Sequence, residues 1–379
     1  MLPPQLPSPG TFSYLLLLLT AISGEYPVSQ VSRLPGGSFY KANMVTQLKR
    51  DRLLRTYYRD GLRALRLTAT AKSLLLATYP DVFRLYLTGN AETNALKSEV
   101  PRRIRLHRMA EVLTTMFNSG ISVFSWDKAD LFTPSSTNGT DDVPLPSYYS
   151  SREVKELGPL ATKIRGSRST GVLLADGGIF VAYNTGASLM KWEYRAEMRL
   201  KALLQMEICH RRLSEQFRNT PIQGIVFGSD MEAMASLMGN TPQLQRNYFI
   251  LDDNFDSFHF LTCDHRGEVI LQLLCHPEQR FVLDGILSEN LDRRQPGWTI
   301  EHDAIDATNT PVLFAYTCDM PRIRRFDTAL ELQGRVGTLI CFDFQESVLR
   351  RICGSQVTIQ SIDFDKYEGS VFHIEKDMA

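Results

Sequence analysis

The sequence lacks the motifs that most directly indicate an enzyme or a metalloprotein. It contains no GxxxxGK[ST] phosphate loop, no GxGxxG dinucleotide turn and no GxSxG nucleophile turn. Its six cysteines are scattered without a CxxC pair, which excludes a dense disulfide framework and the common zinc patterns. The cysteines are therefore predicted to be reduced core residues, and neither a metal ion nor a cofactor is predicted.

Long apolar runs and net charge are also absent. The most apolar run, Leu15–Leu19, is far shorter than the roughly 20 residues that span a bilayer. No basic residue precedes this run, as one would in a signal peptide. The 379 residues are therefore predicted to form two or three domains of a cytoplasmic protein without a membrane partner.

Charge is distributed unevenly, although 42 basic residues balance 42 acidic ones over the whole chain. Residues 25–73 hold ten basic and three acidic side chains, whereas residues 284–379 hold ten basic and sixteen acidic ones. A local excess of positive charge is typical of a surface that contacts nucleic-acid phosphates. The acidic C-terminal part is predicted to face a protein partner or to fold back on the basic part.

The basic segment has the element order of a winged helix-turn-helix. An apolar helix over Phe12–Ile22 and a second helix over Pro27–Leu34 precede a Pro-Gly-Gly turn. Ser38 can cap a third helix, whose apolar residues recur at helical spacing over Phe39–Lys49. Two arginine-rich strands, Leu53–Tyr58 and Leu62–Leu67, then flank a hairpin tip.

A helix after a tight turn fits the major groove of DNA, and a basic hairpin beside it can contact the backbone. Lys41 and Gln47 are predicted to face outward from the third helix and, with Asn43, to read base edges. Most of the arginines on or between these strands are predicted to reach one side of the hairpin and bind phosphates. The full set of predicted DNA-binding residues is Lys41, Asn43, Gln47, Lys49, Arg50, Arg55, Arg59, Arg63 and Arg66.

Residues 11–87 are predicted to form this domain, and residues 88–147 a helical connector with a flexible loop. A long helix over Pro101–Asn118 begins with a crowd of arginines, Arg102, Arg103, Arg105 and Arg108. The helix dipole disfavours cations at this end, so these arginines either meet an external anion or form a solvated face. Leu131–Ser147 is rich in small polar residues and proline, which is typical of a surface loop.

Residues 148–379 alternate strands and helices. A strand hairpin, a long helix over Trp192–Leu213, and further strands at Ile222–Phe227 and Tyr248–Leu251 give the order of a restriction-endonuclease-like core. Phe258–Thr262 and Val269–Leu274 are predicted as another hairpin. The predicted class is therefore α/β, or α+β overall, with a winged helix followed by a mixed-sheet domain.

A nuclease of this fold needs two acidic residues and a lysine on adjacent strands to hold Mg²⁺ and an attacking water. The corresponding places contain Ser169-Thr170-Gly171 and Ala182-Tyr183-Asn184 instead. Asp176 is more simply a turn residue, and Glu197 with Lys201 a surface helix pair. No catalytic residue is therefore predicted. The stretch that contains Lys163, Arg165 and Arg168 is a candidate phosphate-binding segment through its basic side chains and the backbone of Gly166-Ser167.

The N-terminal stretch from Leu15 to Thr68 and the central stretch from Lys163 to Gln205 resemble the replication-relaxation proteins of plasmids and integrative conjugative elements in Gram-positive bacteria. The resemblance covers residues 11–250 in architecture. It implies a winged helix joined to a nuclease-like domain, and DNA binding in the replication, transfer or control of a mobile element. Replication or conjugation proteins and a second copy of the chain are the protein partners that it suggests beside double-stranded DNA.

Three functions follow from these observations. The preferred one is a DNA-binding accessory protein whose nuclease-like domain has lost its catalytic residues. The alternatives are an active Mg²⁺-dependent nuclease or nicking accessory with displaced acids, and a winged-helix transcriptional repressor. Mg²⁺ is a predicted cofactor only for the nuclease.

Overall fold

A computed structural model describes residues 4–370, except for 90–98, 134–142, 158–165, 242, 244–246 and 294–298. In this part, helices combine with three sheets, so the predicted mixture of α and β structure is confirmed. Lys163 and Arg165 lie outside the described residues, as do residues 90–98 and 134–142 of the predicted connector.

The N-terminal unit contains three helices and a three-stranded antiparallel sheet. The Thr11 hydroxyl accepts a hydrogen bond from the Tyr14 amide and so caps the first helix. The second helix is much shorter than predicted, because Tyr26–Pro27 pairs as a strand with the last strand of the hairpin. Gly37, not Ser38, precedes the third helix as its cap residue. The elements are α1 Phe12–Ser23, β1 Tyr26–Pro27, α2 Val28–Val31, α3 Ser38–Arg50, β2 Leu54–Arg59 and β3 Leu62–Leu67, with the strand order β1-β3-β2.

Three further helices follow, and the last of them is central to the molecule. Helices α4 Ala69–Thr78 and α5 Pro80–Leu87 pack together, and α6 extends over Val100–Asn118. Helix α6 contacts α1 on one side and a large sheet on the other. A single apolar cluster therefore extends from α1 across α6 into that sheet.

A buried ionic cluster fixes α6 to the hairpin. The fully buried carboxylate of Glu25 accepts hydrogen bonds from Arg66, from Arg103 at 2.6 Å and from His107 at 2.9 Å. The Arg103 guanidinium also donates to the backbone carbonyls of Arg59 (2.6 Å) and Leu62 (2.9 Å) beside the hairpin tip. Burial alone would raise the pKa of Glu25, but the hydrogen bonds from His107, Arg103 and Arg66 lower it to about 2.

The first large sheet has the strand order β4-β5-β6-β7-β8. Strand β5 runs antiparallel to both of its neighbours, whereas β6, β7 and β8 are parallel. The connection from β6 to β7 contains helix α8, which continues into a π-helix over Gln205–Arg212 rather than forming one regular helix to Leu213. The elements here are β4 Ser147–Ser150, α7 Ser151–Val154, β5 Gly171–Ala175, β6 Gly178–Gly186, α8 Tyr194–Leu204, α9 Ser214–Phe217, β7 Ile222–Gly228, α10 Met231–Gly239 and β8 Phe258–Thr262.

Two predicted strands are wrong. His265–Cys275, which includes the predicted strand Val269–Leu274, is a helix (α11) because the Asp264 carboxylate caps it by accepting from the Gly267 amide at 3.0 Å. Tyr248–Leu251 makes only one bridge, between Tyr248 and Lys191, and the side chain of Phe249 is buried. An apolar run of this length is equally suited to a buried loop.

A second sheet, which the sequence analysis did not separate from the first, lies in the C-terminal part. Its strand order is β13-β12-β11-β10-β9, with β11, β12 and β13 parallel. Acidic side chains of this part pair internally, since Arg322 binds both Glu301 (2.9 Å) and Asp303 (2.6 Å). The elements are α12 Pro277–Leu287, β9 Asp292–Arg293, β10 Ala304–Ile305, β11 Pro311–Phe314, α13 Met320–Gln333, β12 Gly337–Phe342, α14 Asp343–Ile352 and β13 Val357–Ile362.

We expect Glu25→Gln to destabilise the protein by about 3–5 kcal/mol, because two buried guanidinium groups would then face a neutral amide.

The low pKa of Glu25 also makes the native protein sensitive to acid. Its contribution, about 3 kcal/mol, is fully present above the ordinary carboxyl pKa of about 4.5 and is lost as pH falls toward about 2. Urea unfolding between pH 7 and pH 2.5 measures both effects. An equal loss of stability with falling pH in the wild type and Glu25→Gln would contradict this assignment.

Candidate nucleic-acid interface

One face of α3 is open to solvent and carries polar side chains. Asn43, Gln47 and Arg50 are exposed on this face, together with Phe39 at its first turn. Residues 39, 43, 46 and 50 are spaced as one helical stripe, opposite the side that packs on the core through Leu48. The Gln47 amide donates to the Asp51 carboxylate at 2.9 Å, so this side chain is already partnered in the free protein.

The prediction that Lys41 faces outward is wrong. Its side chain is buried, and its ammonium group donates to the carbonyl oxygens of Ser32 (2.7 Å) and Leu34 (2.8 Å). Lys41 therefore holds the turn between α2 and α3 in place, because it satisfies two carbonyls that no helix pairs. Its position was visible in the sequence, since Lys41 lies seven residues before Leu48 on the apolar side of the helix.

Three of the four hairpin arginines lie on one side, as predicted for most of them, and Arg63 lies on the other. In the observed register Tyr58 pairs with Arg63 and Arg55 with Arg66, so alternation places Arg63 on one face and Arg55, Arg59 and Arg66 on the other. Arg55, Arg59 and Arg63 are exposed. Arg66 is only 3% exposed, and its guanidinium binds Glu25 and lies 3.8 Å from the ring centre of Tyr57. Arg66 is therefore a structural residue and not a contact for DNA.

Lys49 at the end of α3 and Arg63 on the hairpin are neighbours. Partial burial and the charge of Arg63 together lower the pKa of the Lys49 ammonium. Among the residues that the structure describes, neither cation has a carboxylate at ion-pair distance. Two like charges held together without a counterion form a natural binding place for an external anion. Arg50 and the exposed Tyr58 extend this surface, which we call the hairpin surface (Lys49, Arg50, Tyr58 and Arg63).

A second group of cations lines a cleft between α6 and the end of the first large sheet at which β5 begins and β6 ends. Arg105 and Arg108 come from α6, Arg168 from the segment before β5, and Lys191 from the segment after β6. The space between them has a volume of about 410 Å³, and it shares Arg168, Lys191 and Tyr248 with a neighbouring space of about 510 Å³. We call it the basic cleft, defined by Arg105, Arg108, Arg168 and Lys191.

The residues in place of nuclease acids have structural roles. The Thr170 hydroxyl donates to the Ala182 carbonyl at 3.0 Å. The Asn184 amide donates to the Arg108 carbonyl (3.0 Å) and to the Glu111 carboxylate (2.9 Å), which fixes α6 to β6. Asp176 lies in the turn between β5 and β6, as predicted.

The prediction of a surface pair between Glu197 and Lys201 is wrong. Glu197 is fully buried and accepts hydrogen bonds from the Tyr183 hydroxyl (2.7 Å), the Ser167 hydroxyl (2.9 Å) and the Arg168 amide (3.0 Å). Burial nevertheless raises the pKa of Glu197. The Lys201 ammonium donates instead to the Asn254 carbonyl at 2.6 Å. The carboxylate is therefore occupied in holding the 167–168 segment on the helix.

The acidic side chains of Asp252 and Asp264 lie apart and have structural partners. Asp252 accepts from the Trp192 indole at 2.7 Å, and Asp264 caps α11. His259 is buried between the Gln223 side chain and the Thr317 carbonyl, and burial lowers its pKa. Across the described ranges, no three His, Cys, Asp or Glu side chains are grouped to hold a metal ion.

No helix in the described part of the chain has both the length and the apolar character needed to cross a membrane.

Comparisons with protein-family models, with curated proteins and with solved structures find no match to this chain.

We expect Lys41→Ala to lower the free energy of unfolding by about 1–3 kcal/mol, because the Ser32 and Leu34 carbonyls lose a buried donor. Gln47→Ala on the same helix is the control and should leave stability within about 0.5 kcal/mol, since Gln47 is exposed. Urea unfolding of the two variants is the measurement. An unchanged midpoint for Lys41→Ala would restore the earlier interpretation of Lys41 as a solvent-facing residue.

Proposed function

We propose that the protein binds double-stranded DNA through a winged helix formed by α1–α3 and the β2–β3 hairpin. The observation that carries the proposal is the hairpin surface, where Lys49 and Arg63 lie together without a described counterion. The exposed stripe of α3 beside it supplies Asn43 and Gln47 for base edges, and Arg50 for a phosphate or a guanine. Arg55 and Arg59 lie on the other face of the hairpin and can reach only a flanking part of the backbone.

The nuclease-like domain is proposed to support binding without cutting. The β5–β6 hairpin, the helix between β6 and β7 and the parallel pairing of β6, β7 and β8 support this proposal, although the predicted strand Tyr248–Leu251 is absent from the described sheet. The side chains at the places of the acids and lysine are Thr170, Tyr183 and Asn184, and their polar atoms are used in hydrogen bonds within the protein. The resemblance to replication-relaxation proteins supports a role in the replication, transfer or control of a mobile element, with replication or conjugation proteins as candidate partners.

The double variant Lys49→Ala/Arg63→Ala should weaken binding to duplex DNA of any sequence. Each lost phosphate contact lowers the slope of log affinity against log salt by about 0.9, so we expect a decrease of about 1.8. Fluorescence anisotropy with a labelled duplex, titrated at several salt concentrations, measures the slope.

Arg218→Ala is the matched control, since Arg218 is an exposed arginine on a distant loop and should leave the slope unchanged. An equal slope for the wild type and Lys49→Ala/Arg63→Ala would remove the hairpin surface from the interface.

A second variant, Gln47→Ala, should relax sequence preference more than it weakens binding to random DNA.

The purified protein should bind DNA but leave it intact in Mg²⁺ and in Mn²⁺. Phosphodiester cleavage by this fold needs carboxylates that hold the ion, and the side chains at those places are neutral. Incubation with supercoiled, linear and single-stranded DNA, followed by electrophoresis, is the measurement. Metal-dependent nicking that disappears in Glu197→Gln, with DNA binding retained, would favour the nuclease instead.

A further inference from the structure

The basic cleft brings together cations from parts of the chain that are far apart in sequence. Arg105 and Arg108 lie about 60 residues before Arg168, and Lys191 follows after β6. No carboxylate among the described residues lies at ion-pair distance from Arg105, Arg168 or Lys191. Glu193 lies at the outer end of the cleft, beside Gly166. The fold thus concentrates positive charge, which Glu193 and, beside Arg108, Glu111 offset only in part.

We propose that the basic cleft binds an unpaired nucleic-acid strand, with Arg105, Arg108, Arg168 and Lys191 on its phosphates and Tyr248 against a base. Arg105 and Arg168 are close enough that, with burial, the Arg168 charge lowers the pKa of Arg105. Backbone phosphates of one strand carry the charge that relieves this repulsion. The site uses none of the residues of the hairpin surface.

Two of the four basic residues are held in position, as a binding site requires. The guanidinium of Arg108 lies against the backbone of Gly186, where an added Cβ would approach its Nε to 3.1 Å, and it also reaches the Ser188 hydroxyl at 3.4 Å. The backbone of Arg168 is fixed by its amide hydrogen bond to the buried carboxylate of Glu197. Glu197 is therefore a positioning residue for the cleft.

The shape of the cleft favours one strand over a duplex. Its two spaces, about 410 Å³ and 510 Å³, are in the size range of small-ligand pockets and suit one or two nucleotides. Tyr248 lines both spaces and is partly exposed, so its ring can stack on a base. Trp192 is unavailable for this role, because its indole binds Asp252 and its ring packs on Tyr183 and Phe249.

Helix α6 places the cleft next to the hairpin. Arg103 holds the carbonyls of Arg59 and Leu62, and Arg105 lies two residues later, about 200° around the same helix and so on its opposite side. A helix is roughly 10 Å across, and Arg63 projects from the hairpin face opposite Arg66, so a strand that leaves a duplex at the hairpin surface would pass around the hairpin and α6 to reach the cleft. A preference for such a junction rests on the proposed duplex binding, whereas binding of a single strand to the cleft does not.

The experiment measures binding of the full chain to a labelled oligothymidylate of roughly ten nucleotides and, separately, to a labelled duplex. Arg105→Ala/Arg168→Ala should weaken oligothymidylate binding at least tenfold and lower its salt slope by about 1.4, at about 0.7 for each lost single-strand phosphate contact. Duplex binding should change less than threefold. Tyr248→Ala should weaken oligothymidylate binding about tenfold, and Tyr248→Phe should retain it.

Arg102→Ala is the matched control, because Arg102 is exposed on α6 and pairs with Glu99 at 3.0 Å outside the cleft. It should leave oligothymidylate binding unchanged. Lys49→Ala/Arg63→Ala should weaken duplex binding and leave oligothymidylate binding unchanged, so failure of one site is distinguishable from failure of the other. Thermal unfolding of Arg105→Ala/Arg168→Ala should be unchanged or higher, since a repulsion is removed.

Three results would overturn the proposal. The first is wild-type protein that binds the duplex but not the oligothymidylate. The second is equal oligothymidylate affinity for the wild type and Arg105→Ala/Arg168→Ala. The third is a cleft variant that loses single-strand and duplex binding in the same proportion, or that unfolds at a lower temperature, because the arginines would then act on the fold as a whole.

Discussion

A single buried carboxylate, Glu25, determines how the N-terminal part of the molecule is assembled. It belongs to the segment between α1 and β1, yet its partners come from the hairpin (Arg66) and from α6 (Arg103 and His107). A buried charge without partners costs several kcal/mol, so the three elements are stable only in the arrangement that surrounds Glu25 with donors. The hairpin therefore does not move freely relative to α6, and its tip is further restrained through the carbonyls of Arg59 and Leu62.

Helix α6 serves as a common support. Its inner residues join the apolar cluster that extends into the first large sheet, while its arginines divide between structural and exposed roles. Arg103 is fully buried, and Arg105 faces the basic cleft, although both lie in one basic run of the sequence. The two roles are set by helical geometry, because a difference of two positions turns a side chain to the opposite side. Of the arginines at the start of this helix, Arg103 therefore pairs with a buried carboxylate, whereas Arg105 belongs to a basic surface.

Local patterns predicted the elements that depend on local interactions. The third helix, the hairpin tip at Asp60-Gly61 and the turn at Asp176 follow from capping, alternation and turn residues. Errors arose where partners distant in sequence decide the outcome. The strand sequence alone suggests that Arg66 binds phosphate, but in the structure it pairs with Glu25. The helical spacing alone suggests that Glu197 pairs with Lys201, but in the structure Glu197 binds Tyr183 and Ser167. For α11 the signal was present, since Asp264 is a cap and the apolar residues 269, 270, 273 and 274 follow a helical spacing.

The burial of Lys41 has a consequence for how the protein can diversify. Two buried interactions determine the angle at which α3 leaves the turn. The Lys41 ammonium donates hydrogen bonds to the carbonyls of Ser32 and Leu34, and Leu48 packs in the core. Asn43, Thr46 and Arg50 contribute almost nothing to that arrangement, because they project into solvent. Substitutions at these positions therefore leave the scaffold intact, and the exposed stripe of α3 can change over evolutionary time without a loss of stability that would have to be repaired elsewhere.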